Sequence, residues 1–142
     1  MKKITSYTIL SDINVVTEYY NGDIIIEDII ELKSKLFSEK LYNSKIQIIM
    51  DFRSANLLIK EPEIIRYTEF AKKNIKIIGE RKVAFLTNNP NEVVIGTLFE
   101  FTKTKLPIIT KVFSTLKAAA LWLNLSYTEM EKVQNAFDKF SK

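Results

Sequence analysis

Apolar and polar positions change period several times along the chain, and each change marks an element. Tyr7–Leu10 and Val15–Tyr20 are rich in β-branched and aromatic residues, with Ser11-Asp12-Ile13-Asn14 between them as turn chemistry. This pattern predicts an antiparallel hairpin. Tyr20-Asn21-Gly22-Asp23 is then expected to break the second strand, with Gly22 available for a positive φ. From Ile25 the period becomes helical. Ile25, Ile29, Leu32 and Leu36 form a stripe, which Ile26, Ile30 and Phe37 widen, in a helix running to about Glu39. Glu27 and Asp28 suit its positive end, and Glu31 and Lys35 form an ordered i,i+4 pair.

Ile46–Met50, apolar except for Gln47, leads into Asp51-Phe52-Arg53, as in a strand covered on both faces. Pro62 fits the first position of a second helix, whose inward stripe is Ile64, Thr68, Ala71 and Ile75. Val83–Leu86 reads as a strand closed by Thr87-Asn88-Asn89-Pro90. Asn89 caps a third helix, with Val94, Thr97, Leu98 and Phe101 on its buried face. Pro107 ends that region, and Ile108–Phe113 is the last strand. Ser114 or Thr115 caps a fourth helix carrying Leu116, Ala119, Ala120 and Leu123. Ser126-Tyr127-Thr128-Glu129 is a capping box that opens a tail helix to Phe140, with Tyr127, Met130, Val133, Phe137 and Phe140 as its stripe.

The order is ββαβαβα plus a tail helix. It predicts an α/β domain over residues 1–125, with a five-stranded mixed sheet, four helices and right-handed crossovers. Residues 126–142 would form an amphipathic helix packed on it. Packing across the sheet is the plain account of this tail. A dimer or partner interface, or a lid over a pocket, is the alternative.

Composition removes most catalytic chemistry. The 142 residues include no cysteine and no histidine, so thiolate catalysis, disulfides, Cys-ligated zinc and the usual general base are absent. Three glycines, Gly22, Gly79 and Gly96, are too scattered for a phosphate-cradling loop. Glu27/Glu31 and Glu61/Glu63 are near-neighbour carboxylates, but Glu61 and Glu63 sit at a helix start, which favours their ionised forms, and neither pair has metal-ligand spacing. No enzyme activity, metal or cofactor is expected.

Net charge is +4 and concentrated in the middle: residues 60–125 hold eleven basic and six acidic groups. Lys72, Lys73, Lys76, Arg81 and Lys82 are the densest run, with Tyr67 and Phe70 nearby, but Glu69 and Glu80 dilute it and no nucleic-acid motif accompanies it. Contact with an anionic membrane surface fits this bias better than nucleic acid does. Thr5–Thr8 interrupts the apolar run that a signal peptide needs, so a cytoplasmic location is expected.

The element order, the strand Ile46–Phe52, the block Arg81–Thr87 and above all Val112-Phe113-Ser114-Thr115-Leu116-Lys117-Ala118-Ala119-Ala120-Leu121-Trp122-Leu123 resemble the SpoIIAA-like family of the STAS (anti-sigma-factor antagonist) superfamily. The likeness covers roughly residues 4–125. It implies a regulatory module that binds a partner protein and catalyses nothing. Antagonist members switch by phosphorylation at an Asp-Ser-Ser-Gly motif before the second helix. The corresponding Leu57-Leu58-Ile59-Lys60-Glu61-Pro62 has neither serine nor glycine, so that switch is not carried over. The SpoIIAA-like branch also resembles carriers of apolar, lipid-like molecules, and that is the alternative function.

Two sets of site candidates follow. In parallel α/β sheets, ligands favour the carboxyl ends of the strands. Asp51, Arg53 and Ser54, then Thr87, Asn88 and Asn89, then Ser114 and Thr115 all fall there, with Arg53 as an anion clamp. The routine reading of the same residues is an Asp51–Arg53 pair with helix caps, and of Ser54 a loop residue rather than a modification site. The second set is an apolar pocket lined by Tyr67, Phe99, Phe101 and Trp122. Such a pocket favours the carrier, whereas an exposed apolar patch on helix two or the tail favours the interaction module. A homodimer is compatible with either.

Overall fold

In a computed structural model, residues 2–74, 79–89 and 108–140 are described. The third helix predicted from Val94, Thr97, Leu98 and Phe101 lies outside them, as does Ile75. The strands are β1 (Ile4–Leu10), β2 (Val15–Ile24), β3 (Gln47–Leu57), β4 (Arg81–Leu86) and β5 (Ile108–Phe113). The helices among the described residues are α1 (Ile26–Phe37), α2 (Glu61–Lys73), α3 (Leu116–Trp122) and α4 (Tyr127–Asp138).

One mixed sheet runs in the order β1-β2-β3-β4-β5. β1 and β2 are antiparallel, with Leu10 opposite Val15, and the other neighbours are parallel. The chain turns between β1 and β2 through Asn14, whose φ of 54° is left-handed, a conformation asparagine tolerates better than most residues. β2 and β3 are buried on both faces over most of their length, as central strands covered by helices on both sides are.

Two strand ends differ from the sequence expectation. Tyr20-Asn21-Gly22-Asp23 does not end β2. The pairing steps from Tyr19–Asp51 to Asn21–Ser54, so β3 carries one extra residue, and the ladder then continues to Ile24 opposite Leu57. Gly22 takes φ 88° just beyond the bulge, and a Cβ there would meet the Lys3 backbone at 3.2 Å. Glycine therefore bends the strand instead of breaking it. β3 is correspondingly longer than Ile46–Phe52, and Ser54 is an exposed strand residue rather than part of a loop before helix two.

Each face of the sheet has its own core. On one face α1 and α2 cover Val16, Tyr20, Ile48, Met50, Phe52, Val83 and Phe85. Phe52 stacks between Tyr20 and Phe85, with ring centroids at 4.5 and 4.4 Å, so three adjacent strands are joined by one aromatic ladder. On the other face α3 and α4 cover Val15, Tyr19, Ile49, Ala84 and Leu86. The α4 start is capped reciprocally: Glu129 N donates to Ser126 Oγ (3.1 Å), and Ser126 N donates to Glu129 Oε1 (2.8 Å). Val133, Ala136 and Phe137 of α4 are buried, but Tyr127, expected on its apolar stripe, points outward.

The buried stripe of α1 also differs. It is Ile26, Ile29, Leu32, Lys33 and Leu36, while Ile25 is the N-cap and is exposed. A lysine has taken a place on the inward face.

Candidate functional site

The parallel register sets Asp51 beside Leu86, and Leu86 beside Phe113. Asp51, midway along β3, therefore lies level with the carboxyl ends of β4 and β5. Its carboxylate is engaged within its own strand. Arg53 places Nε 2.9 Å from Asp51 Oδ1 and Nη2 3.0 Å from Asp51 Oδ2, and its backbone N–H also donates to Oδ1 at 3.0 Å. The bidentate fork that could hold a ligand carboxylate thus holds this chain's own, which keeps the guanidinium above its ordinary pKa.

Nearby, Thr87 N donates to Phe113 O at 3.0 Å, and Asn89 N donates to Thr87 Oγ1 at 3.2 Å. Thr115, not Ser114, caps α3, accepting from Ala118 N at 3.2 Å. Asn88 and Ser114 are exposed. The stretches are brought together, but chiefly as a local pair, a turn and a cap.

The pocket candidates are separated. Tyr67 packs with the α1/α2 core, whereas Trp122 belongs to the opposite face, 5.5 Å from Phe113 and with Lys82 Nζ 5.2 Å from its ring centre. One pocket cannot be lined by both. Phe99 and Phe101 lie outside the described residues. The basic run is divided too: Lys72 and Lys73 are exposed at the end of α2, Arg81 is buried, and Lys82 donates to Trp122 O at 2.9 Å. Lys76 is not among the described residues.

A different constellation lies under α1 and α2. A cavity of about 40 Å³ is lined by Phe37, Ile48, Met50, Val83, Phe85 and Ile108, together with Lys33, Tyr67, Arg81 and Thr110. Lys33 and Glu18 form an ion pair at its edge, Nζ to Oε2 2.5 Å, with side chains 3% and 0% exposed. Glu18 Oε1 accepts from the Tyr20 hydroxyl at 2.6 Å, and Lys33 Nζ lies 3.7 Å from Met50 Sδ. Arg81 donates to Ile46 O at 3.4 Å and to the Tyr42 hydroxyl. Phe37, Tyr42, Tyr67 and Phe70 form an aromatic group alongside.

Burial dominates the titration of this cluster. It lowers the Lys33 ammonium, against the raising pull of Glu18, and Arg81 lowers it further. It raises the Tyr20 and Tyr67 phenols far above their usual value, helped by the Glu18 charge. A phenol whose folded pKa is raised keeps its proton in the native state, so its stabilising contribution is lost as pH rises above the unfolded value near 10. Lys33, depressed in the fold, acts oppositely, but only up to the ordinary lysine value near 10.5. Above that, stability falls. In an alkaline titration, the Tyr20 and Tyr67 phenolates are expected to appear only together with cooperative loss of the circular-dichroism signal. Smooth ionisation of all six tyrosines in a folded protein would contradict this.

Glu18 and Lys33 are absent from the sequence candidates, although each left a signal. Glu18 interrupts the apolar and aromatic run Val15–Tyr20, and Lys33 occupies an inward phase of α1. Among the described residues, no three carboxylates gather as a metal-binding group, and no helix is long and apolar enough to cross a membrane.

No protein-family model matches the chain, and no curated protein matches it. A solved structure does: an uncharacterised protein of the DUF3478 family with a SpoIIAA-like fold, from Shewanella loihica PV-4. The two share 15% identity and a TM-score of 0.57, over 85% of this chain and 93% of the other. The architecture described above is therefore a SpoIIAA-like fold.

Proposed function

We propose that this chain, a SpoIIAA-like fold, is a non-catalytic binding module that carries or senses a small molecule with an apolar body. The observation that carries the reading is the cavity between α1, α2 and the sheet, with aromatic and aliphatic walls and a few polar groups at one edge. Apolar walls with a few polar groups are the usual chemistry of small-molecule sites, and a volume of about 40 Å³ limits the occupant to a few heavy atoms. The absence of histidine and cysteine weighs against catalysis in the same space.

The other reading, a module that docks a partner protein, draws on outward apolar side chains such as Ile65 on α2 and Leu121 and Tyr127 near the tail. Single exposed apolar residues are ordinary on any surface. A cavity beside a buried ion pair is less ordinary, and it supports the small-molecule reading.

Native mass spectrometry of the protein taken directly from cells tests the proposal. The expected result is a reproducible adduct that disappears on denaturation and is lost in Val83→Phe, which fills the cavity. An adduct-free protein, or one whose adduct ignores Val83→Phe, would count against it.

A further inference from the structure

We propose that strand β1 is a homodimer interface: the β1 strands of two copies pair antiparallel about a two-fold axis at Tyr7 and join the two sheets into one. The interface does not depend on the cavity. β1 lies at one edge of the sheet, with β2 as its neighbour. Its ladder with β2 is unbroken from Ile4 opposite Asn21 to Leu10 opposite Val15. No backbone hydrogen bond among the described residues reaches Ile4–Ile9 from outside that ladder. The alternate N–H and C=O groups on its outer side are therefore open to another strand. Edge strands are ordinarily guarded by a charge, a proline or a bulge, and Ile4–Leu10 has none of these.

Two-fold symmetry restricts the register. Antiparallel pairing of a strand with its own copy sets one residue opposite itself. With Tyr7 at the axis all seven residues pair: Ile4 meets Leu10, Thr5 meets Ile9, Ser6 meets Thr8, and Tyr7 meets its twin. The faces match as well. Ile4 and Leu10 pack on the α3/α4 core, and Tyr7 and Ile9 on the α1/α2 core, so each core continues across the axis. Except for the exposed Thr5, these residues are only half-buried in the single chain. Cross-strand aliphatic, hydroxyl and aromatic pairs gain from covering them.

Charge selects this register over its neighbours. Lys2 and Lys3 precede the strand and Asp12 follows it. The Tyr7 register carries Lys2 of each copy to Asp12 of the other, once at each end. Moving the axis to Ser6 sets Lys2 against Leu10 and Lys3 against Ile9, and moving it to Thr8 sets Asp12 against Ile4. Asp12 already pairs with Lys132, but both side chains are about half exposed, and a carboxylate accepts from more than one donor. Exposed charges of this kind fix register more than they add affinity.

Sedimentation velocity over a dilution series of the wild-type protein tests the interface, with Ser6→Lys/Thr8→Lys and Ser6→Lys/Thr8→Glu as paired variants. A monomer–dimer equilibrium is expected for wild type. In the first variant lysine faces lysine twice, and the dissociation constant is expected to rise at least about tenfold. In the second, lysine faces glutamate twice, and association is expected to be retained. Both variants carry charges at the same two positions, so a general loss of folding would affect them alike. A wild type that is monomeric at every concentration overturns the proposal and leaves the edge to a segment of another protein. A dimer that both variants keep, or that both lose while folded, overturns β1 pairing in this register. If neither variant folds, amide hydrogen exchange of the wild type decides. Protection of alternate residues in Ile4–Leu10 that rises with protein concentration supports the pairing, and protection independent of concentration overturns it.

Discussion

Replacing Lys33 by methionine is expected to destabilise the protein by about 3–5 kcal/mol, the cost of stranding one member of a buried ion pair. Methionine follows the lysine stem closely and suits a helix, so propensity and packing change little. What changes is Glu18. It is fully buried in β2, and without Lys33 it keeps, among the described residues, only the Tyr20 hydroxyl as a donor. It must then either remain charged in a low-dielectric core or take up a proton, and both routes cost free energy. Changing Glu18→Gln in the Lys33→Met background removes the charge and keeps an acceptor for Tyr20. The double variant is expected to recover most of the loss, to within about 1 kcal/mol of wild type, because a buried pair contributes little beyond a neutral replacement. Urea unfolding of the four proteins in this cycle checks both statements. If Lys33→Met alone unfolds within about 1 kcal/mol of wild type, the pair is not buried as the structure has it.

The same pair shows where sequence reading succeeds and where it stops. Strands and helices were legible from local chemistry: β-branched and aromatic residues in Val15–Tyr20, helical spacing from Ile25 onward, and turn chemistry at Ser11–Asn14. The phase of α1 was not legible. Ile24-Ile25-Ile26 and Ile29-Ile30 offer two adjacent apolar stripes, and only packing on the sheet selects the one running through Ile26 and Leu36. That choice turns Lys33 inward. The ends of β2 and β3 were likewise hidden, because each strand continues only by pairing with the other across a bulge.

Candidate residues followed the same division. Local chemistry foretold the Asp51–Arg53 pair and a cap at Ser114 or Thr115, since these contacts span two or three residues. Tyr67 and Trp122 are grouped by their aromatic chemistry, but the sheet assigns them to opposite faces. Glu18 and Lys33 lie fifteen residues apart on different elements, so their meeting depends on tertiary structure. Polar residues within otherwise buried runs are the signal that sequence does offer for such a pair.

Deleting residues 126–142 is expected to abolish cooperative folding altogether. α4 completes the second core: Val133, Ala136 and Phe137 are at most 3% exposed, and Phe140 stacks on Tyr19 with ring centres 5.9 Å apart. Burying Val133 and Phe137 contributes about 1.5–3 kcal/mol each by transfer alone. Their removal also uncovers Val15, Tyr19 and Leu123, which pack in the same cluster. The sum is comparable with the whole stability of a domain, about 5–15 kcal/mol. The Lys132–Asp12 ion pair that ties α4 to the β1–β2 turn adds little, since both side chains are about half exposed. The expected product is therefore an aggregating or dye-binding chain without a sharp unfolding transition. Tyr127→Ser on the same helix is the control. Tyr127 is 72% exposed, and its loss is expected to shift stability by no more than about 0.5 kcal/mol. A truncated protein that stays soluble and unfolds sharply near the wild-type midpoint, or changes only its oligomeric state, would make α4 an interface element and not part of the core.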